Sequence, residues 1–174
     1  MDSTKSYVKI YNVSQETAED FEFDFDTEGV DQGSSDILTE LVSNLDLWGN
    51  IGWMEAEEYE YNANDKVMYL TLNTKWEPPT RWLQQASSDN IYFENKLITM
   101  TTIQKDETCV TGVAMMDGEI LQNKQIFNRT IEEVGKYYND NESDYDLDEL
   151  DNQIWDSIGQ FTDVCKKFYL EEEK

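Results

Sequence analysis

The chain opens on alternation. Over Tyr7–Val13, residues Val8, Ile10 and Asn12 fall on one side and Tyr7, Lys9, Tyr11 and Val13 on the other, the period of two that a β-strand requires. Residues 14–34 then form a long polar connection, unusual in a compact domain and therefore a candidate functional segment. Within it, Phe21-Glu22-Phe23-Asp24-Phe25-Asp26 alternates strictly, which predicts a short strand. Ile37, Leu38, Leu41, Val42 and Leu45 recur at helical spacing behind Ser34 and Ser35, either of which can cap. They predict a helix that ends near Leu47, ahead of Gly49 and Gly52.

Strands are expected over about 52–61 and 67–73, on either side of the turn Asn62-Ala63-Asn64-Asp65. Pro78-Pro79 opens a short helix through about Ala86, with proline where its missing N–H costs nothing. Further strands are expected over about 91–102 and 109–115. The order β-α-β-β-α-β plus an extra strand predicts an α+β fold, an antiparallel sheet with helices packed on one face. Thr130–Tyr138 suits a helical turn or two. From Leu150 onward, Ile154, Trp155, Ile158, Phe161, Val164, Cys165 and Phe168 form an apolar helical stripe. That stripe predicts a terminal helix docked on the domain, with a partner-binding or dimerising helix as the alternative.

Composition narrows the function classes. The 174 residues hold 38 acidic and 13 basic side chains, a formal net charge of −25, and no histidine. With 39% hydrophobic and 13% aromatic residues, five Trp and only two Pro, the charge belongs to a chain that folds and not to a disordered tail. Direct binding to nucleic acid or to an anionic membrane is disfavoured, because both need a cationic face. The missing histidine removes Ser-His and Cys-His nucleophile systems and every histidine metal site. No basic start runs into an apolar stretch, and no apolar segment approaches about 18 residues, so a cytoplasmic protein is expected. Cys109 and Cys165 stand outside any C-x-x-C spacing and read as two core thiols.

Trp48-Gly49-Asn50-Ile51-Gly52-Trp53 and Asn73-Thr74-Lys75-Trp76-Glu77-Pro78-Pro79 resemble the two motifs of an Api-type ferredoxin-like domain family carried by phages. Trp48, Gly49 and Trp53 match its W-G-T-K-W motif; Thr74, Trp76, Pro78 and Pro79 match T-A-W-x-P-P. Thr111-Gly112-Val113 through Asp117-Gly118-Glu119 is similar to the family's final strand and turn. The resemblance spans about residues 48–120. It implies a phage or mobile-element origin and a ferredoxin-like fold without an iron–sulfur cluster, and no catalysis. The division expected is a ferredoxin-like α+β domain over 1–125, with an acidic insertion at about 14–34, and an acidic segment plus C-terminal helix over 126–174.

Metal and catalytic signals are weak. Asp140, Glu142, Asp144, Asp146 and Asp148 alternate as calcium ligands do, but Tyr145 replaces the central glycine and Asp151 the final glutamate. Asp24, Asp26, Glu28 and Gly29 make another partial match, which fails at Ser35. No carboxylate pair stands out, and neither a glycine-rich phosphate loop nor a nucleophile elbow accompanies them. A non-enzymatic protein without cofactor or metal is expected.

The arrangement of acids is more informative. In the expected strand, Glu22, Asp24, Asp26 and Glu28 point one way and Phe21, Phe23 and Phe25 the other. Residues two apart in a strand lie about 6.6 Å apart. That is close to the roughly 6–7 Å between successive phosphates on one nucleic-acid strand. Residues 137–165 contain nine acids and neither Lys nor Arg. Glu55, Glu57, Glu58 and Glu60 crowd another strand. Self-repulsion on this scale destabilises a compact fold, so solubility alone seldom requires it.

The expectation is a phage-encoded acidic inhibitor of a host defence nuclease, anti-CRISPR or anti-restriction, that mimics nucleic acid and blocks a basic binding cleft. Its partner is a basic nucleic-acid-binding host protein, a CRISPR effector or restriction enzyme in the bacterial cytoplasm, with no direct nucleic acid and no membrane. The expected contacts are Glu22, Asp24, Asp26, Glu28 and Asp31 in the first acidic stretch. Asp140, Glu142, Asp144, Asp146, Asp148 and Glu149 supply the second, with Tyr145 as an aromatic anchor. The alternative is an acidic scaffold or interaction protein in phage assembly or host takeover. Monomer and dimer both remain open.

Overall fold

β1 (Thr4–Ile10) buries every second residue, with Thr4, Ser6, Val8 and Ile10 inside and Lys5, Tyr7 and Lys9 half-buried on the other face. It ends before the expected Val13, because Asn12 adopts a positive φ of 60° and turns the chain. This is a computed structural model of the protein, and it describes residues 4–29, 54–74, 77–89, 92–103, 109–128 and 144–171. The expected helix over 34–47, the helical turns over 130–138 and the tryptophan motif at 48–53 lie outside those residues.

Five more strands follow: β2 (Met54–Asn62), β3 (Val67–Thr74), β4 (Ile98–Ile103), β5 (Cys109–Met116) and β6 (Glu119–Asn128). They form one antiparallel sheet in the order β2-β3-β1-β4-β5-β6. The antiparallel pairings make β1 parallel to β2 with β3 between them, and β3 parallel to β4 with β1 between them. Each such pair is linked through a helix, so the first four strands are two interleaved split β-α-β units.

The first of these helices is α1 (Gln15–Gly29), and it corrects the strand expected over Phe21–Asp26. Ser14 caps it: its Oγ accepts a hydrogen bond from the Thr17 N–H at 3.1 Å. Ala18, Phe21 and Phe25 recur at spacings of three and four, a helical stripe that the shorter alternation hides. Phe21 is fully buried, with ring centroids 5.4 Å from Tyr59, 5.3 Å from Tyr92 and 6.0 Å from Phe93. Two tyrosines of β2 fasten the helix: Tyr59 donates its hydroxyl to the Ala18 carbonyl at 3.0 Å, and Tyr61 to the Val13 carbonyl at 2.7 Å. Packing from the sheet therefore decides the conformation.

α2 (Thr80–Asp89) begins behind Pro78-Pro79, as expected, and buries Trp82, Leu83 and Ala86 against the same face as α1. Its far end holds the β5–β6 hairpin. Asp117 and Gly118, with φ values of 51° and 81°, form the two-residue turn, the tight mirror-image type that favours Asp-Gly. Gln84 Nε2 donates to the Gly118 carbonyl at 2.8 Å, and the Gly118 N–H donates to Ser87 Oγ at 3.1 Å. β6 was not among the expected strands. Nor does the strand expected over 91–102 start before Ile98, since residues 92–95 turn and bury Tyr92 and Phe93 beside Phe21.

α3 (Asp144–Lys166), which continues into a wider turn over Lys167–Glu171, packs on the opposite face of the sheet. Phe161 and Cys165 join Tyr11, Val67, Leu97 and Ala114, while Ile154 and Ile158 pack with Val110. Gly112 makes the approach close enough: a Cβ there would sit 2.7 Å from the Phe161 ring. The fold is thus α+β, a six-stranded antiparallel sheet with α1 and α2 on one face and the C-terminal helix on the other. No described helix is long and apolar enough to cross a membrane.

Candidate functional site

Because α3 packs mainly over β4, β5 and β6, the β1-β3-β2 half of that face stays accessible as a groove. The strand registers align positions of this face in rows. Lys5, Asn73 and Glu55 align across β1, β3 and β2; then Tyr7, Thr71 and Glu58; then Lys9, Tyr69 and Glu60. A bulge between Ala56 and Glu58 keeps Glu58 and Glu60 in step with the rows. The groove above the last two rows holds about 320 Å³, with Trp155, Ile158 and Gly159 of α3 as its wall.

Trp155 is 46% exposed, although it belongs to the apolar stripe. Its ring meets Tyr7 edge-on at 4.8 Å between centroids. Val164 and Phe168 also face outward, at 56% and 55% exposure. The stripe read from sequence is therefore wider than the buried seam, which is Ile154, Ile158, Phe161 and Cys165.

Lys9 is the cation of the groove. Its Nζ donates to Thr162 Oγ1 at 3.1 Å and lies 5.8 Å from the centroid of the Tyr69 ring. Burial holds its ammonium below the usual lysine range, opposed by the Asp163 carboxylate and assisted by Lys166. Tyr69 is pushed up by burial and by the carboxylates of Asp65 and Glu60.

Beneath them, burial pushes Tyr11 up to about 12. An unfolded tyrosine ionises near 10. The folded state therefore keeps its proton while the unfolded state loses it. The contribution of Tyr11 is fully present below pH 10 and falls by about 2–3 kcal/mol as pH rises to 12. Urea titrations at pH 9 and 11 should show Tyr11→Phe losing less stability between the two values than the parent. Equal losses would contradict a buried neutral phenol.

No family model, curated protein or solved structure matches this chain.

The expected contact residues scatter. Glu22 is exposed on α1 and borders a second hollow of about 310 Å³, shared with Glu19, Tyr59, Tyr61 and Glu60. Asp24, Asp26 and Glu28 stand on the same helix and not on a strand. Positions two apart on a helix rise about 3 Å and turn about 200°. Positions 22 and 26 therefore lie on one side and 24 and 28 on another, and the single row at phosphate-like spacing does not form. Asp144, Tyr145, Asp146, Asp148 and Glu149 fall in the first turns of α3, so the partial calcium-loop match at these positions lies on a helix and not on an extended loop. Asp31, Asp140 and Glu142 lie outside the described residues. Among the described residues, no three acidic or cysteine side chains cluster as metal ligands would.

What unites the two hollows is the β2 edge, where Glu60 borders both. Glu58 and Glu60 are exposed and have no hydrogen-bond or ion-pair partner among the described residues. Tyr7, Lys9, Glu58, Glu60, Tyr69 and Trp155 were absent from the sequence-derived contact set. The signal for them is present as Lys-x-Tyr-x-Lys on β1 and the crowded glutamates on β2, but only the strand order places the two together.

Proposed function

We propose that the protein is a phage-encoded, non-enzymatic acidic inhibitor that occupies the basic nucleic-acid-binding cleft of a host defence protein, a CRISPR effector or restriction enzyme. The observation that carries this reading is a net charge of −25 on a chain that builds a six-stranded sheet, with carboxylates at exposed positions of regular elements. Glu19 and Glu22 stand exposed on α1, Glu58 and Glu60 on β2, and Asp156 and Asp163 on α3. Acids held on helices and strands keep fixed separations, so they steer a basic partner without the entropy cost of ordering a tail.

The phage origin rests on the tryptophan and proline motifs. We also read the scaffold as ferredoxin-like, because the order β4-β1-β3-β2 with two helical crossovers is the β-α-β-β-α-β arrangement of that fold. The contact face centres on the β2 edge and the adjacent α1, where Glu22 and Glu60 border one hollow.

Competition tests the reading. A partner captured from bacterial lysate on immobilised protein should be released by saturating DNA or RNA. Its affinity should fall steeply between 0.05 and 0.5 M salt, both chosen to span a several-fold change in screening length. Glu22→Lys combined with Glu60→Lys should weaken capture by at least about tenfold. Partner retention under saturating DNA and RNA would remove the mimicry and favour an assembly scaffold.

A further inference from the structure

The three rows on this face of the sheet are not equivalent. On β1 the rows hold Lys5, Tyr7 and Lys9, of which Tyr7 and Lys9 line the groove; on β2 the register positions are Glu55, Glu58 and Glu60. The outer rows each carry a lysine on β1 and a glutamate on β2. In the row Lys9-Tyr69-Glu60, the ammonium lies over the tyrosine ring, so cation, aromatic and anion are all supplied by the chain itself. The middle row has Tyr7 where its neighbours have lysine. It offers the Tyr7–Trp155 aromatic pair at one end, Thr71 in the middle and the exposed Glu58 carboxylate at the other.

Two strand spacings, roughly 9.6 Å, separate β1 from β2. That leaves room for a cation above Thr71, between the indole and Glu58. We propose that the middle row is a receptor for one arginine side chain of a basic protein partner, whose guanidinium takes the place that Lys9 holds in the neighbouring row. This rests on the reading of the protein as an acidic inhibitor and names the residue it would recognise.

Arginine fits better than the other candidates. A planar guanidinium stacks on the half-exposed Trp155 and still presents donors in its plane to Glu58 and to the Thr71 hydroxyl. A lysine ammonium is more strongly hydrated and cannot do both. The volume of about 320 Å³ lies at the low end of the roughly 300–1,000 Å³ typical of ligand sites, which suits one side chain rather than a nucleotide or large cofactor. An anionic ligand would meet Glu58 and Glu60 at the rim, and an uncharged apolar one would leave Glu58 beside it without a counter-charge.

The test uses the intact protein and three small probes, the N-acetyl methylamides of arginine, citrulline and lysine, followed by the indole N–H resonance of Trp155. That resonance is assigned by its loss in Trp155→Phe. Arginine should shift it saturably, with citrulline at least about tenfold weaker, since citrulline keeps the shape and removes the charge. Glu58→Gln, on the exposed edge, should weaken arginine by about tenfold. Tyr7→Lys installs the missing lysine and should abolish the response, and Lys9→Met should leave binding equal or tighter, because a like charge is removed.

Equal binding of citrulline and arginine, unchanged affinity in Glu58→Gln, or weaker binding in Lys9→Met would each overturn the proposal. Arginine binding that persists while nucleic acid fails to release the captured partner keeps the receptor and removes the mimicry. Release by nucleic acid with no arginine response does the opposite.

Discussion

Phe21→Ala should destabilise the protein by about 3–5 kcal/mol, read as a fall in the urea midpoint without a change in slope. Phe21 is fully buried among Tyr59, Tyr92 and Phe93, so its removal leaves a cavity lined by three rings that the sheet and the 92–95 turn hold in place. A loss of this size is a large share of the 5–15 kcal/mol that domains usually possess. The neighbouring Glu22→Ala should change stability by no more than about 0.5 kcal/mol, because Glu22 is exposed. A small effect of Phe21→Ala would show that α1 is not fastened to the sheet through this ring, and would reopen the strand.

A loss of similar size, about 3–5 kcal/mol, is expected for Phe161→Ala, because Phe161 is 5% exposed and holds α3 on the second face of the sheet. The partner position gives the sharper experiment. A Cβ on Gly112 would lie 2.7–2.9 Å from three atoms of the Phe161 ring, so Gly112→Ala should cost about 1–3 kcal/mol by overpacking. In the double variant the added methyl enters space that the ring has left. The combined loss should therefore be smaller than the sum of the two single losses, by roughly 1 kcal/mol or more. Strict additivity would mean that ring and glycine do not meet.

Docking of α3 also matters for the proposed arginine receptor, since Trp155 is its wall. A Phe161→Ala protein that keeps its sheet but releases the helix should lose the arginine response together with stability. Glu58→Gln should weaken the response about tenfold and leave stability unchanged.

Several elements were legible before the structure. Alternation at Val8 and Ile10, the hairpin around residues 62–66, the Pro78-Pro79 start of α2 and the apolar stripe beginning at Ile154 all correspond to observed elements. Each is a local pattern whose period matches the element it forms. The misreading at Phe21–Asp26 arose where two periods coexist. Six residues of alternation compete with an i, i+3, i+7 stripe of Ala18, Phe21 and Phe25, and Tyr59 and Tyr61, some forty residues away, help select the helix. β6 was missed because its Asn123, Lys124 and Gln125 are exposed, and polar residues weaken the alternation at the sheet edge.

The candidate site was less legible for a related reason. Acidic stretches attract notice as runs along the chain, whereas the groove is assembled across it. Lys9 and Glu60 belong to one row because Tyr69 pairs with both, and Trp155 arrives from a helix more than eighty residues further on. None of these separations has a period that a linear reading can detect.

By itself the sequence determined that this is a folded, strongly acidic chain without histidine, with a mixed order of strands and helices and a terminal apolar stripe. Those properties are sums or short-range repeats, and side-chain chemistry alone sets them. Only the tertiary structure decided that Phe21–Asp26 is helical, that α3 covers the face opposite α1 and α2, and that Glu58 stands in a row without a lysine. Each of these depends on which distant strands pair, because burial of the two sheet faces is settled jointly by every element packed against them.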